Sequence, residues 1–396
     1  MQRSFVRRLL APLVAIAVAA TLPAAAQPAP YTINVIVSLT GPAANLGQDE
    51  AAGLAAFEKF ANKTGGIKGT PIHFQIADDQ SSPAVAVQLF QQIIASHLAV
   101  VLGSSIAAQT QAMAALVKDG VGPVLYALTP NMNPTPGSYV FATSAPTTGL
   151  TQVAMTYYRL RGFTKLGVIV TTDASGQNNL ESLETTLKLP VNKNMKIVDV
   201  ETFGINDVSI AAQASKIKAS GAQLIVALPN GTAFGTALHG LNDVGLELPV
   251  YTSAANFSPI LLERFKSFLP KELTSSGASF FNKDRPASDP QKKPIDDFYA
   301  ALAADGITAP TVSHAFAWDP ALIVVSVLRN LGTSATATQI HDAIEKLRKF
   351  PGCGGIYDFS RNDQHGANDS GLLVMKNDPE HPGRATIASK QGGAPL

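Results

Sequence analysis

From Tyr31 onward the chain alternates short β-branched, apolar stretches with helix-like ones, and this alternation restricts the fold more than any other feature. Tyr31 to Ser38 reads as a strand, and Gln48 to Asn62 as an amphipathic helix with Ala51, Leu54, Ala55 and Glu58 at helical spacing. Gly65-Gly66 closes that helix, because glycine accepts the left-handed conformation of a helix C-terminus. Pro71 to Ala77 is the next strand. Ser82-Pro83 then opens a helix, serine as N-cap and proline in the first turn, where a missing N–H costs nothing. Ala99 to Gly103, Ala107 to Lys118 and Pro123 to Tyr126 continue as strand, helix and strand.

A second series follows: helix Thr147 to Arg159, strand Lys165 to Thr171, helix Gln177 to Lys188, strand Met195 to Thr202, helix Asp207 to Ser220, strand Ala222 to Leu228, helix Ala233 to Gly245. Val250 to Thr252 and Pro259 to Phe268 add a last strand–helix pair. Two such series predict an α/β protein with two lobes, each a parallel sheet wrapped by helices. The rhythm then changes. Gly277 to Phe281 reads as a strand, Lys283 to Pro294 as a polar loop, and Ile295 to Asp305, Thr311 to Leu331 and Thr338 to Leu347 as helices. Gly355 to Ser360 and Gly371 to Lys376 read as a β-hairpin around the turn-rich Arg361 to Ser370, whose His365-Gly366 is expected to be solvated. A chain crossing back and forth between lobes produces such an order.

The N-terminus has the parts of a cleavable export signal: Arg3, Arg7 and Arg8, the apolar run Leu9 to Leu22, then Pro23-Ala24-Ala25-Ala26. A run of about 14 apolar residues is short of the ~20 that span a bilayer, and no cysteine marks a lipid-attachment point. Residues 1–26 are thus expected to be removed, giving a periplasmic protein without a membrane anchor. Their removal takes away three arginines and no acids, leaving 27 basic and 29 acidic residues. That balance gives no electrostatic reason to expect nucleic acid or an anionic membrane as partner. The longest later apolar run, Ala321 to Leu328, is too short to span. The one cysteine, Cys353, rules out an internal disulfide and reads as a small buried hydrophobe.

Templates for catalysis are missing: no histidine paired with another His, Cys or carboxylate at metal-ligand spacing, no phosphate loop, no nucleophile elbow. No catalytic residue, metal or cofactor is expected. Asp78-Asp79, an acidic pair at a strand end, could act as general acid and base, but reads better as a brace for the loop before Ser82. Two strand ends look suited to holding a small molecule. Gly103-Ser104-Ser105 combines hydroxyls with backbone N–H groups at a helix start, which suits a carboxylate. Ala127-Leu128-Thr129 repeats that chemistry at the next strand, and ligands of open α/β sheets sit at the carboxyl ends of strands.

Five tags in order then carry a resemblance: Ser38-Leu39-Thr40-Gly41-Pro42-Ala43 with Gly47, Gly65-Gly66-Ile67-Lys68-Gly69, Ala77-Asp78-Asp79-Gln80-Ser81, Ile217 to Ala222, and Gly354-Gly355-Ile356-Tyr357-Asp358-Phe359. Together they resemble type I periplasmic solute-binding proteins of ABC transporters, the branched-chain amino acid (Leu/Ile/Val)-binding family, over nearly the whole chain after residue 26. The resemblance implies two Rossmann-like lobes joined by three crossovers, with ligand in a cleft that closes by hinge motion. Crossovers are expected near Phe141 to Ala145, Ala278 to Asn282 and Pro351 to Gly355. Lobe 1 would comprise 27–145 and 283–350, and lobe 2 146–282 and 351–396.

Carried over by position, Ser104, Ser105, Ala127 and Thr129 would grip a ligand carboxylate, Leu46 would cover it, and Ser175 and Asn230 would approach from the second lobe. In Tyr251 to Phe257, Ser253 stands where the family's amino-acid binders use an acid for the ligand's ammonium. A buried ammonium without a carboxylate is costly. The departure favours an aromatic or branched aliphatic acid or keto acid, with Tyr126, Phe234 and Phe257 as aromatic walls. The expected partners are that small carboxylate and an inner-membrane ABC permease, with the protein a monomer. A hydrophobic amino-acid binder, and a ligand-sensing regulator of a signalling partner, stay open beside it.

Overall fold

The computed structural model describes residues 29–129, 132, 134–359, 364–367, 371–378, 380–381 and 385–396. The export signal at 1–26 lies outside them. In the first lobe, β1 (Tyr31–Val37), α1 (Ala44–Lys63), β2 (Ile72–Asp78), α2 (Pro83–Ala95), β3 (Val100–Gly103), α3 (Ala107–Ala114), β4 (Val124–Ala127) and β5 (Val140–Ala142) follow in order. The strands form an all-parallel sheet, β2-β1-β3-β4-β5. Ile33, Val35, Ile36 and Val37 are fully buried, as expected of a strand covered on both faces.

The second lobe takes α4 (Thr147–Leu160), β6 (Lys165–Thr171), α5 (Ala174–Leu187), β7 (Lys196–Phe203), α6 (Ala211–Ala219), β8 (Leu224–Ala227), α7 (Gly231–Asp243), β9 (Val250–Thr252), α8 (Pro259–Arg264) and β10 (Leu273–Gly277). The chain then returns to the first lobe with α9 (Lys292–Ala304), α10 (Val312–Leu331), α11 (Ala337–Glu345) and the short ladder β11 (Phe350–Pro351) and β12 (Ile356–Tyr357). It ends in the second with β13 (Leu373–Asn377) and β14 (Ala385–Ile387). The second sheet runs β14-β13-β10-β9-β8-β6-β7, its last two strands antiparallel.

The α/β class and the two lobes agree with the sequence reading, and four details differ. The strand expected at Gly277 to Phe281 ends at Gly277, and Ser279–Phe281 turns as a 3₁₀ helix. The late hairpin does not form. Ile356 and Tyr357 pair with Pro351 and Phe350, while β13 pairs with β10. The third crossing falls beyond Phe359 rather than at Pro351 to Gly355, because Cys353, Tyr357 and Phe359 are buried in the first-lobe core and Leu372 in the second. His365 is buried, not solvated. Its Nδ1 lies 3.1 Å from the Ser144 carbonyl oxygen, and the Ala142 N–H donates to the Gln364 carbonyl at 2.9 Å, so the third crossing runs beside the first.

Helix α10 is long and apolar enough to cross a membrane, but 78% of its most apolar window is buried inside the protein. It is a core helix packed on α1, with the Trp318 ring edge-on to Phe57 at 5.0 Å and to Phe298 at 5.4 Å. Asp319 follows on the same helix. Its carboxylate accepts the N–H of Cys353 at 2.9 Å, the N–H of Gly354 at 2.7 Å, and the Tyr357 hydroxyl at 2.5 Å. These bonds fasten the loop after β11 to the first lobe and bury the Cys353 thiol.

Candidate functional site

The site grows out of the strand ends of the first sheet. Asp78 and Asp79 close β2 and brace the neighbouring loops. Asp78 accepts from the Leu39 N–H at 2.9 Å, the Thr40 hydroxyl at 2.7 Å and the Gln80 N–H at 2.8 Å. What burial it has pushes its carboxyl up, but these bonds hold it below the usual carboxylate range. Asp79 is fully buried and accepts the Ser38 hydroxyl at 2.7 Å, the Ser81 N–H at 2.9 Å and the Ser104 hydroxyl. Burial still raises its pKa despite those donors. Both acids are therefore committed to loop geometry.

The same bonds decide the Ser104-Ser105 loop. The Ser104 hydroxyl is held by Asp79, its N–H donates to Thr110 Oγ1 at 3.0 Å, and the Ser105 N–H donates to Ser104 Oγ at 2.6 Å. The amide cradle expected for a carboxylate is thus spent inside the loop. Ser105 is arranged differently. Its Oγ accepts the Ser38 N–H at 3.1 Å and lies 2.5 Å from Oε2 of Glu50 on α1. Glu50 is 1% exposed, and burial pushes its carboxyl well above the usual range, Asp79 and Asp49 adding to the effect against the bond from Ser105.

Leu46, Glu50, Ser105 and Thr129 of the first lobe, Asn230, Ser253 and Ala255 of the second, and Ser313 and Phe316 of α10 line one small cavity. Five expected residues therefore meet: Leu46, Ser105, Thr129, Asn230 and Ser253. Ser175 lines an adjoining cavity with Asn230, and its buried hydroxyl has no hydrogen-bond partner among the described residues. Phe316 also lines two neighbouring cavities, one shared with Ser253 and the other beside the crossings.

The remaining expected residues sit elsewhere. Ser104 points at Asp79. Ala127 is buried in the first lobe, and Tyr126 is fully buried there, stacked on Phe141 at 5.9 Å. Phe257 and Phe234 pack into the second-lobe core. The aromatic walls proposed for the ligand are therefore core side chains, and the aromatic in the cavity is Phe316. Glu50 and Phe316 escaped the sequence reading. A signal for Glu50 existed: it lies four residues after Leu46, one turn on along the same helix face.

His341, Asp342 and Glu345 gather on α11, where the His341 ring stacks on Tyr139 at 4.2 Å and pairs with both acids. This spacing departs from the sequence expectation that no histidine pairs with a carboxylate; with His341 buried under Tyr139, the group reads as a polar network of α11.

The sequence matches the periplasmic binding protein family over residues 30–379. This chain belongs to that family. It is 28% identical over 241 residues to a Leu/Ile/Val-binding protein homolog 3 of Brucella melitensis, a match covering 59% of this chain and 64% of that protein, somewhat under two thirds of the relative. The fold superposes on an extracellular ligand-binding receptor from Rhodopseudomonas palustris with a TM-score of 0.78 at 22% identity, covering 90% of this chain and 99% of the other. It also superposes on the branched-chain amino acid transporter substrate-binding protein LivJ of Streptococcus pneumoniae, solved with isoleucine. There the TM-score is 0.74 at 18% identity, covering 90% and 99%. Type I periplasmic binding proteins share this fold, and the family's members are solute-binding proteins rather than enzymes.

Proposed function

We propose that this periplasmic binding protein captures a small carboxylate, an aromatic or branched aliphatic acid or keto acid, between its lobes and delivers it to an inner-membrane ABC permease. The carrying observation is the cavity that takes walls from both lobes. The hydroxyls of Ser105, Thr129 and Ser253 and the Asn230 amide supply polar contacts, and Leu46 and Phe316 supply apolar ones. A site split between lobes is completed only when they close, which is how ligand occupancy becomes a change of shape that a permease can read. The leader at residues 1–26 is the reason for placing the protein in the periplasm.

A second reading, a hydrophobic amino acid, has one observation in its favour: Glu50 supplies an acid inside the cavity, though from the first lobe. Thermal shift against a panel of carboxylates separates the two. A ligand at a hundred times its Kd stabilises the native state by about 2.7 kcal/mol. The 2-keto acid of leucine is expected to raise Tm more than leucine does. A larger shift with leucine would transfer the assignment to the amino acid, and no shift with any carboxylate would remove the function.

A further inference from the structure

Ser105 has one hydroxyl hydrogen and two lone pairs, and the loop leaves little freedom in how they are used. One lone pair receives the Ser38 N–H at 3.1 Å. Glu50 Oε2 then stands 2.5 Å from the oxygen. If Glu50 is ionised, the hydroxyl hydrogen must point at it. Ser105 then offers the cavity only a lone pair, beside a fixed negative charge, and a ligand carboxylate is repelled. If Glu50 carries a proton, its O–H fills the second lone pair and the Ser105 hydrogen is released toward the cavity.

We propose that Glu50 holds the proton that turns Ser105 into a hydrogen-bond donor, so that the cleft accepts a carboxylate only while Glu50 is neutral. The proposal rests on the carboxylate reading of the same cavity and deepens it: Glu50 is the residue that sets ligand charge. Its surroundings suit the role. Asp49 neighbours it on α1, Asp79 stands just after β2, and His314 of α10, 4.0 Å from Asp49, is held neutral by burial. The charges acting on Glu50 are thus both negative and favour its neutral form. Binding of a carboxylate then retains or takes up a proton at Glu50.

Isothermal titration calorimetry with the 2-keto acid of leucine tests this, run from pH 6.5 to 9.5 in two buffers of different ionisation enthalpy. For the wild type, affinity should fall as pH rises through the range where Glu50 ionises, toward tenfold per pH unit, with uptake nearing one proton per ligand. In Glu50→Gln the amide N–H donates to Ser105 at every pH, so the profile should be flat and binding at pH 9.5 tighter than wild type. Ser105→Ala should bind weakly throughout, and Asp49→Asn should keep the wild-type slope. A flat wild-type profile overturns the proposal, as does a wild-type slope in Glu50→Gln. Tight leucine binding with proton release also overturns it, since Glu50 would then be the counter-charge of an ammonium. If Glu50→Gln does not fold by circular dichroism, proton uptake by the wild type decides alone. If no acid of the thermal-shift panel binds, the carboxylate reading fails and this proposal with it; if the acid binds without the pH slope, the proposal alone fails.

Discussion

Gly231, at the start of α7, faces Pro42, in the loop before α1, so closely that a β-carbon on Gly231 would stand 2.3 Å from the Pro42 carbonyl oxygen. The glycine also has φ +60°, a conformation other residues enter at a cost of roughly 1 kcal/mol. One small residue thus allows the second lobe to meet the first. Gly231→Ala should hold the lobes apart and weaken ligand binding by about tenfold or more, equivalent to ~1.4 kcal/mol. Small-angle scattering with saturating ligand should show a larger radius of gyration than for the wild type. Unchanged affinity and radius would show that this contact plays no part in closure.

Ser253 caps a short 3₁₀ turn, its hydroxyl accepting the Ala255 N–H at 3.4 Å. Aspartate caps equally well, so Ser253→Asp should fold. It places a negative charge in the cavity and should weaken binding of the 2-keto acid of leucine by about tenfold, ~1.4 kcal/mol, while leucine improves relative to it. Parallel titrations of the two ligands measure the ratio. If both change alike, Ser253 does not face the end of the ligand where they differ.

Acid stability should hinge on Asp49 and His314. Both reach the Thr311 hydroxyl, at 2.8 Å each, and the Thr311 N–H donates to His314 Nδ1 at 3.1 Å, which requires that nitrogen to be unprotonated. Burial pushes His314 down to about 4 and Asp49 up to about 6. A histidine with a depressed pKa binds fewer protons folded than unfolded. Its contribution is therefore full above about pH 6.5 and is lost as pH falls toward 4. Asp49 binds more protons folded, so its contribution is lost in the opposite direction, as pH rises from ~4 toward 6. The two slopes offset each other in the wild type. Asp49→Asn should expose the histidine's slope, a loss of up to ~3 kcal/mol between pH 6.5 and 4 by denaturant titration.

Asp319 should be among the least replaceable residues outside the cavity. Asp319→Ala leaves the buried Cys353 amide, the half-buried Gly354 amide and the Tyr357 hydroxyl unpaired, at a cost of about 3 kcal/mol or more. The wild-type Cys353 thiol, fully buried and pushed up by burial and by Asp319, should resist thiol reagents until the protein unfolds. Labelling of Cys353 should be faster in the variant. Rapid labelling of native wild type would contradict this packing.

The alternating strands and helices were readable because each carries its own period, and β1, α4, β6 and β9 fall within a residue or two of their expected bounds. Val140–Ala142 was not read as a strand because it runs straight into the stretch expected to be the first crossover, Phe141 to Ala145. The late hairpin was misread because alternation marks a strand without naming its partner. Leu373 pairs with Gly277, 96 residues earlier, and the sequence between them holds three helices. The cavity was half legible. Ser105 and Thr129 announce themselves as hydroxyls at strand ends, and Ser253 as a departure from an expected acid. Glu50 and Phe316 look like ordinary helix residues. Beyond the spacing of Glu50 from Leu46, what makes them part of the site is the meeting of α1 and α10, which brings together two residues 266 apart in the chain.

One consequence of helix α10 extends past the ligand itself. Ser313 and Phe316 border the cavity, and three residues further Asp319 clasps the loop that precedes the last passage between lobes. Six residues of helix span about 9 Å, with Pro320 just beyond removing the N–H that would bond the Phe316 carbonyl. Cargo and pivot are therefore bolted to one short beam. A ligand that nudges Phe316 pushes on the axle as well as on the jaws, so molecules of different girth should leave the clamp closed at different angles.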